Sequence, residues 1–344
     1  MRIGVDVMGG DNAPDAILEG SLAALPRLAG DDELVLFGDE KLIRAVIART
    51  PAAPSGAKAT VVGTTEVVGM DESPVDAVRN KTDSSIVVCC KHASRRAERP
   101  LDGVISAGST GAQVAAAQMY MKRLPNVHRP GIAVAVPTFA GPIVLIDVGA
   151  NIEPKAFHLA QYGVMGEIFA RCILGIEKPR VALMNVGSEE AKGTGEMKQA
   201  RDRLRDTEGV EFVGYIEGRG VFDGDADVVV TDGVVGNVMI KLAEGLSAGI
   251  FKSIAREVFM IDPQLALRLE PVVKSIYAKH DYHEYGGAPL LGVNGVCMIC
   301  HGSSIARTIT NAVLKTKQIH ELKVNEAISK RLGAMDEAVT PSAR

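Results

Sequence analysis

Short runs of valine, isoleucine and leucine alternate with longer helix-like segments along nearly the whole of this 344-residue chain. Several of the short runs are apolar at every position, as expected for strands that are covered on both faces. This alternation predicts a mostly parallel sheet with helices on both of its faces. Strands are expected at 2–7, 33–37, 60–62, 103–106, 131–137, 142–148, 180–185, 211–216, 227–231 and 295–299. Helices are expected at 16–25, 41–49, 85–96, 110–121, 154–174, 190–205, 237–259 and 303–314.

The composition excludes several classes of protein. Hydrophobic residues make up 47% of the chain and are spread along it, which argues against long disordered segments. The formal net charge of −4 gives no general basic field, so no nucleic-acid partner is expected. The length fits either one large α/β domain or two closely packed lobes, and we expect a single α/β catalytic domain at residues 1–336 with a flexible tail at residues 337–344.

Neither a targeting segment nor a membrane span is evident in the sequence. Residues 1–7 enter a predicted strand at once, which leaves no room for a signal peptide. No uninterrupted apolar run approaches the roughly 20 residues that cross a bilayer. The five cysteines, an odd number, fit a reducing compartment better than a disulfide framework. We therefore expect a soluble, cytoplasmic protein.

One cysteine motif has a misleading spacing. Cys297, Cys300 and His301 match the Cys-x-x-Cys-His pattern by which haem c is attached. Both cysteines lie in an apolar run that is predicted to be a strand, so we interpret them as buried core residues. A zinc site would need further ligands at a useful spacing. No metal and no cofactor is expected.

Glycine is combined with short polar or charged side chains in the turns after most predicted strands. These turns are 6–14, 107–112, 147–151, 185–193, 217–219 and 231–237. Ligands of open α/β sheets bind beyond the carboxyl ends of the strands, and glycine lets a ligand approach the backbone closely. We expect these turns to lie along the same edge of the sheet and to bind anions and polar atoms.

The segment 285–304 is the richest of all in glycine. Four glycines, an asparagine and a proline precede an apolar strand-like piece, which leads to His301, Gly302, Ser303 and Ser304 ahead of a helix-like run. A strand that delivers Gly-Ser-Ser to the start of a helix places free N–H groups where an anion can bind. The segment therefore predicts chemistry at a phosphate or an oxyanion.

Two common nucleotide motifs are missing. The first strand is not followed by Gly-x-Gly-x-x-Gly, and the chain has no Gly-x-x-x-x-Gly-Lys-Ser/Thr loop. No arrangement singles out a cysteine or serine as a nucleophile. These absences favour a reaction whose nucleophile is brought in by a substrate.

A helical hairpin is predicted at about residues 247–283. Apolar residues are frequent there but are interrupted by Pro263 and Pro271, which indicates two helices joined at an apolar tip. The tip and its basic flanks, which we expect to contact a membrane or a carrier protein, include Arg256, Val258, Phe259, Ile261, Leu265, Arg268 and Lys274. Shallow insertion into lipid, attraction of an acidic carrier protein and a dimer interface each explain this composition.

Several of these segments together resemble one family, the bacterial acyl-carrier-protein:phosphate acyltransferases that begin phospholipid synthesis. The matching segments follow one another in order over nearly the whole chain, with Val7 and Ser109 as small departures. They are 6–11, 70–74 with Arg79, Lys81, Ser84 and Ser85, 106–112, 147–151, 185–193, 215–219, 231–237 and 285–304. The resemblance implies a three-layer α/β/α sandwich similar to phosphotransacetylases and isopropylmalate dehydrogenases. It also implies a homodimer, peripherally associated with the inner face of the cell membrane, that hands its product to the membrane-bound glycerol-3-phosphate acyltransferase.

The reaction that the resemblance implies is reversible attack of inorganic phosphate on the thioester of long-chain acyl-acyl carrier protein. The products are an acyl phosphate and the free carrier protein. Because phosphate is already anionic near neutral pH, the protein must mainly supply placement, charge neutralisation and stabilisation of the tetrahedral oxyanion.

Candidate site residues fall into two groups. Candidates for a catalytic role are Lys192, His301, Asp147 and Asn151. Candidates for binding phosphate or acyl phosphate are Asp6, Gly9, Gly10, Ser106, Gly108, Ser109, Thr110, Gly111, Asn185, Glu189, Ser303 and Ser304. Structural alternatives stay open: Ser109 as a plain helix cap, Lys192 as a surface partner of Glu189, and the polar residues after the strands as loop and helix caps.

Three other functions fit parts of the pattern. A nicotinamide dehydrogenase of similar fold would have to bind its cofactor without the Gly-x-Gly-x-x-Gly motif, which does not follow the first strand here. A short-chain phosphotransacetylase would differ in taking coenzyme A thioesters as its acyl donor. A membrane scaffold that binds acyl carrier protein without turnover would leave the glycine-rich polar turns without a role.

Overall fold

The structure, a computed structural model, describes residues 1–279 and 286–339. Eleven strands form one sheet in this part of the chain. The strands are β1 Arg2–Asp6, β2 Glu33–Gly38, β3 Lys58–Gly63, β4 Gly103–Ser106, β5 Gly131–Val136, β6 Ile143–Ile146, β7 Arg180–Met184, β8 Glu211–Ile216, β9 Val228–Val230, β10 Ala288–Leu291 and β11 Val296–Ile299. All except β10 lie where the sequence predicts a strand. β10, which contains Pro289 and follows two glycines, was not predicted.

The described part of the chain contains eleven α-helices. They are α1 Asp15–Ala24, α2 Glu40–Ile47, α3 Pro74–Asn80, α4 Ser85–His92, α5 Thr110–Ala116, α6 Ala156–Phe169, α7 Gly195–Asp206, α8 Gly233–Ile261, α9 Pro263–Lys279, α10 Ala306–Glu321 and α11 Val324–Val339. Wider π turns, Ala117–Met121 and Ala170–Leu174, continue α5 and α6. α7 begins five residues later than predicted because Thr194 caps it by accepting a hydrogen bond from Met197 N.

The C-terminal segment differs from the prediction of a flexible tail at 337–344. α11 was not predicted, and it extends through Val339, so the first three residues of the predicted tail are helical. Residues 340–344 lie outside the described residues.

The sheet has the order β3-β2-β1-β4-β11-β10-β5-β6-β9-β7-β8. Seven of its ten neighbouring pairs are parallel, and only β11–β10, β10–β5 and β5–β6 are antiparallel. Successive strand residues such as Val104 and Ile105 belong to different apolar clusters, because alternate side chains point to opposite faces. Helices therefore cover both faces, and the predicted three-layer α/β/α sandwich with a mostly parallel sheet is confirmed.

The three antiparallel pairs reverse the direction of half of the sheet. β1, β2, β3, β4 and β11 run one way, and β6, β7, β8 and β9 run the opposite way, because an odd number of antiparallel pairs separates them. The turns after β1 and β4 leave the sheet at one end, and those after β6, β7 and β9 leave at the other. The prediction that all the glycine-rich turns share one edge is therefore wrong.

α8 and α9 form the predicted helical hairpin, with Asp262 as the single residue between them. Pro263 is the first residue of α9, where a proline needs no N–H partner. The hairpin starts at Gly233, earlier than predicted, and the end predicted at 280–283 lies outside the described residues. Only Gly233 and Gly236 of α8 are buried, so most of this helix is exposed in the single chain.

α8 is also the one described helix that is long and apolar enough to cross a membrane by length and composition. Its most apolar window has a mean hydropathy of 1.4, and 6% of that window is buried. The charged residues Lys241 and Glu244 interrupt the apolar run, as the sequence indicated. An exposed apolar helix of this kind also fits a contact with a second protein chain.

Candidate functional site

A cleft of about 390 Å³ lies where the two halves of the sheet meet. The start of α5, β5, the turn after β6, α8, the start of β10 and the end of β11 all contribute to it. Its lining residues are Thr110, Gly111, Ile132, Val134, Ala135, Val148, Gly149, Asn237, Ile240, Lys241, Glu244, Gly287, Ala288, Ile299, Cys300 and His301. Turns from both halves of the sheet therefore meet here, although their strands run in opposite directions.

The turns after β1 and β4 are joined by buried hydrogen bonds. Ser106 Oγ donates to Asp6 Oδ2 at 2.6 Å and accepts from Gly108 N at 3.0 Å. Burial raises the pKa of the Asp6 carboxyl, and the hydrogen bond from Ser106 opposes that shift. Asp6 and Ser106 are both buried and neither lines the cleft, so the structure gives them the task of holding these two turns together.

Gly9 and Gly10 stand where other turns approach the backbone closely. A Cβ on Gly9 would lie 2.8 Å from Gly108 N. Gly10 has a φ of +112°, and a Cβ on it would lie 3.1 Å from Gly302 O. Asp11 N donates to that same carbonyl oxygen at 2.8 Å. The turns after β1, β4 and β11 thus form one packed unit beside the cleft.

Replacing Gly9 with alanine is expected to lower the free energy of unfolding by about 2 kcal/mol, because the new methyl group meets Gly108 N and Asp6 Oδ2 at distances that force the turns apart. Urea unfolding of the purified variant measures this effect. Gly195→Ala is the matched control, since no atom lies within 4 Å of its Cβ position. Equal stability of the two variants would contradict the packing role of Gly9.

The start of α5 faces the cleft. Ser109 caps this helix, and its Oγ accepts from Ala112 N at 3.4 Å. Thr110 and Gly111 follow directly and line the cleft. A Cβ on Gly111 would lie 2.6 Å from Pro74 Cγ, so the packing of α3 also requires glycine there. Capping by Ser109 and presentation of the positive end of α5 to the cleft are therefore compatible.

His301 stands at the end of β11 with its ring oriented by the next turn. Ser303 N donates to His301 Nδ1 at 3.2 Å, and Ser303 Oγ lies 2.8 Å from the same nitrogen. An Nδ1 that accepts a hydrogen bond leaves the proton of the neutral imidazole on Nε2. Ser304 is fully buried, and its hydroxyl donates to the His301 carbonyl at 2.6 Å. The two serines thus shape the turn that holds His301 at the cleft.

Asp147 organises the turn after β6 from beneath. Its Oδ1 accepts from Ile132 N at 2.9 Å, from Ala150 N at 3.0 Å and from Gly149 N at 3.2 Å, and its Oδ2 accepts from Asn151 N at 2.7 Å. Burial raises the pKa of the Asp147 carboxyl, whereas these N–H donors oppose the shift. Asp147 is fully buried, so it positions the backbone of the cleft-lining Gly149.

Asn151 links this turn to two neighbours. Its side-chain Nδ2 donates to Pro130 O at 2.7 Å, and its backbone carbonyl accepts from Gly233 N at 2.8 Å. A Cβ on Gly233 would lie 2.6 Å from Asn151 O, which explains the glycine at the start of α8. The turn after β6 therefore carries α8 to the cleft.

Three polar residues of α8 reach the cleft, namely Asn237, Lys241 and Glu244. Burial raises the pKa of the Glu244 carboxyl, and the nearby His301, when its ring is protonated, and Lys241 oppose this shift. Asn237 belongs to a glycine-rich turn that the sequence singled out, but the other two were missed. The available signal was their spacing: Lys241 follows Asn237 by four residues and Glu244 follows Lys241 by three, which puts all three on one helix face.

Lys192, Asn185 and Glu189 are not brought to the cleft. Lys192 Nζ pairs with Glu189 Oε1 at 3.0 Å, and both side chains are at least half exposed. Asn185 stands at the end of β7, and a Cβ on Gly193 would lie 2.7 Å from its Oδ1. β7 is two strands away from β6, about 10 Å at normal strand spacing. The surface pair that the sequence offered as an alternative is the arrangement observed in this single chain.

No activated nucleophile faces the cleft in the described part of the chain. Cys300 lines it, but its Sγ donates to Gly286 O at 3.3 Å, and burial raises its pKa to about 12. Cys297 and Cys300 are both buried, as expected of core residues. Ser247 has the spacing of a Gly-x-Ser-x-Gly elbow, but it lies in the middle of α8 and lacks the strand–turn–helix geometry of that motif.

Comparison with known sequences gives one consistent result. The model of the fatty acid synthesis protein family matches residues 1–327. A phosphate acyltransferase of Desulfitobacterium hafniense is 43% identical over 335 residues, which cover 96% of this chain and 98% of that relative. A phosphate acyltransferase of Nitratidesulfovibrio vulgaris is 41% identical and covers 97% of this chain and 96% of its own length.

Solved structures with a similar fold are much more distant in sequence. A phosphotransacetylase from Streptococcus pyogenes matches with a TM-score of 0.58 at 16% identity and covers 95% of this chain and 94% of its own. The EutD phosphotransacetylase from Staphylococcus aureus matches with a TM-score of 0.56 at 14% identity, with the same coverage. These two likenesses concern the fold alone.

Proposed function

We propose that this chain, which belongs to the fatty acid synthesis protein family and is a phosphate acyltransferase, takes long-chain acyl-acyl carrier protein and inorganic phosphate as its substrates. It converts them reversibly into acyl phosphate and free carrier protein. The reaction would be the first step toward phosphatidic acid. It uses no cofactor in this proposal. The coenzyme A thioester is the competing acyl donor, and the experiment below separates the two.

The observation that carries the proposal is a cleft whose described lining offers donors and positive charge without an activated nucleophile. The start of α5, Lys241 and His301 all line this cleft, and each has groups that bind anions well. Cys300, the one cysteine among the lining residues, carries a thiol whose pKa burial raises to about 12. This combination suits an anionic substrate that itself supplies the attacking oxygen.

In the proposed mechanism, a phosphate oxygen attacks the carbonyl carbon of the thioester. The start of α5 and Lys241 hold the phosphate, while the Nε2–H of His301 donates to the oxyanion of the tetrahedral intermediate. The intermediate collapses with cleavage of the C–S bond, the thiolate of the carrier leaves, and it takes up a proton from solvent. Preorganised donors of this kind stabilise the transition state more than the ground state.

Purified protein mixed with palmitoyl-acyl carrier protein and phosphate tests the proposal, with palmitoyl-coenzyme A in a parallel reaction. Release of the carrier thiol and formation of acyl phosphate are followed with and without phosphate. Phosphate-dependent turnover of the carrier substrate is the expected result. Turnover of the coenzyme A thioester alone would make the protein a phosphotransacetylase, and no acyl phosphate from either donor would remove the proposed function.

We further propose that the hairpin serves both as a dimer contact and as the site of membrane association. α8 carries an exposed apolar stripe at four-residue spacing, with Val238, Leu242, Leu246, Ile250 and Ile254 each at least 45% exposed. At the tip, Phe259 and Ile261 are 58% and 79% exposed, with Arg256 and Arg268 close by in sequence. The side chain of Lys274, also assigned to this surface, lies outside the described part of the structure.

The stripe supports a homodimer in the cytoplasm, and the tip supports peripheral contact with the inner face of the cell membrane. Acyl phosphate has a long apolar chain, so release at the membrane would deliver it to the membrane-bound glycerol-3-phosphate acyltransferase. The basic flanks of the tip would attract acidic headgroups or the acidic carrier protein.

Replacing Phe259 and Ile261 together with aspartate is expected to weaken binding to anionic vesicles at least about tenfold, because two apolar side chains are lost from the lipid contact. Cosedimentation with vesicles measures this. Leu246→Asp, on the stripe, is the control and is expected to weaken the dimer in light scattering with less effect on lipid. Vesicle binding that is unchanged by the tip substitutions would refute insertion.

A further inference from the structure

A second cavity lies beside the cleft and differs from it in chemistry. It has a volume of about 250 Å³ and lies between β5 with its following turn, the region after β8, and α8. Its lining residues are Val134, Ala135, Val136, Pro137, Thr138, Phe139, Phe222, Ile240, Ala243, Glu244, Ser247, Ala248 and Phe251. Three phenylalanines contribute to it, and Glu244 is its one charged lining residue.

The two cavities share a wall. Val134, Ala135, Ile240 and Glu244 line both of them. The shared residues are two neighbours on β5 and two residues one turn apart on α8, so the cavities follow one another along the same strand–helix contact. We call their combination the groove. Its polar end carries His301 and Lys241, and its apolar end carries the phenylalanines.

The dimensions of the groove suit an alkyl chain. Along α8 the lining of the second cavity runs from Ile240 to Phe251, which corresponds to about 17 Å at the normal helical rise. Two layers of acyl chains fill a hydrocarbon core of about 30 Å in a bilayer, so one long chain spans roughly 15 Å. The second cavity is therefore long enough to take most of such a chain.

We propose that the groove between β5 and α8 binds the long acyl chain of the substrate, with the thioester at His301 and the end of the chain near Phe222 and Phe251. The inference rests on the proposed function, because the occupant is the acyl group of that reaction. It adds the residues that set chain length: Ala243 and Ala248 are small side chains on the helix wall, one near the cleft and one farther along.

Glu244 stands at the junction between the polar and the apolar end. Glu244 is half buried in apolar surroundings, which raise the pKa of its carboxyl and so favour the neutral form. An alkyl chain requires surroundings of the same kind. Beyond Glu244 the groove offers only Ser247 and Thr138 as polar side chains, so it gives a charged or strongly polar ligand little to bind.

Two substitutions that block the groove at different distances from the cleft test the proposal. Ala248→Phe fills the far part of the apolar end, and Ala243→Phe fills a part about 7 Å nearer the cleft. Acyl-acyl carrier proteins with chains of 8, 12 and 16 carbons are the substrates, and kcat/KM is compared within each variant. In the unmodified protein, kcat/KM should rise roughly fourfold for each additional buried methylene.

Ala248→Phe is expected to lower the ratio of the rates with 16-carbon and 8-carbon chains at least tenfold, and Ala243→Phe should lower the ratio for 12-carbon and 8-carbon chains as well. Ala255→Phe, on the same helix but outside the groove, is the matched control and should keep the ratios of the unmodified protein. Ratios that are unchanged in both blocked variants would overturn the groove while leaving the reaction established.

A binding measurement separates failure of the groove from failure of the proposed function. A fluorescent long-chain fatty acid is titrated into the same four proteins, so no turnover is needed. Binding that Ala248→Phe and Ala243→Phe weaken at least tenfold, and Ala255→Phe does not, supports the groove even if no acyl phosphate forms. Equal binding by all four proteins would overturn the groove. An equal loss of activity for every chain length, together with a changed dimer, would also show that the groove does not bind the acyl chain.

Discussion

Replacing His301 with alanine is expected to lower kcat for acyl phosphate formation roughly 100- to 1,000-fold, the usual effect of removing one preorganised oxyanion donor. The reason is the hydrogen bond from Ser303 N to His301 Nδ1, which leaves the proton on Nε2 where the ring meets the cleft. The free energy of unfolding should change little, because His301 is exposed. Steady-state kinetics with the acyl carrier protein substrate measures the effect.

The glutamine variant distinguishes a hydrogen-bond donor from a general acid. The side-chain amide of glutamine can place an N–H near the position of Nε2, so His301→Gln should retain activity to within about tenfold of the original protein. His320→Ala, an exposed histidine on α10 away from the cleft, is the control and should have full activity. A glutamine variant as slow as the alanine variant would make His301 a proton donor, and a fully active alanine variant would remove it from the mechanism.

Replacing Asp147 with alanine is expected to lower the free energy of unfolding by about 3 kcal/mol, because buried N–H groups lose their acceptor. The Ile132 N–H is the most consequential of these, since it lies in the sheet next to the cleft and its hydrogen bond to Asp147 is fully buried. The turn that carries Gly149 should also lose its shape, so activity falls together with stability. Urea unfolding and kinetics on the same preparation measure both effects.

Asp147→Asn is the informative partner of that variant. Asparagine keeps one oxygen acceptor but directs an NH2 group at some of the N–H donors, so its stability should lie between those of the original and the alanine variant. Asp206→Ala, at the exposed end of α7, should change neither quantity. An alanine variant of normal stability would contradict the positioning role of Asp147.

The sequence predicted the layers of the fold but not its change of direction. The continuous apolar run at 103–106 was recognised with the bounds that the structure has, because a strand covered on both faces leaves that pattern. The reversal depends on β5 and β10. β10 has only four residues, including Pro289. Which strands it pairs with depends on tertiary packing, and no local sequence pattern reveals it.

The candidate site was predicted only in part for the same reason. Residues in the turns after β4 and β11, such as Thr110 and His301, do line the cleft. Lys192 was selected for its glycine-rich surroundings, yet in the structure it pairs with Glu189 away from the cleft. Lys241 and Glu244 were missed because they lie on a long helix rather than in a turn, where charged residues usually mark a solvated face.

Direct attack by phosphate on the thioester can be tested by measuring the mass of the intact protein. The protein is mixed with palmitoyl-acyl carrier protein in the absence of phosphate, and its mass and the release of carrier thiol are recorded before phosphate is added. If phosphate attacks directly, the protein stays unmodified and no thiol is released until phosphate is present, after which acyl phosphate forms. A protein that carries a covalently bound palmitoyl group before phosphate is added would contradict it.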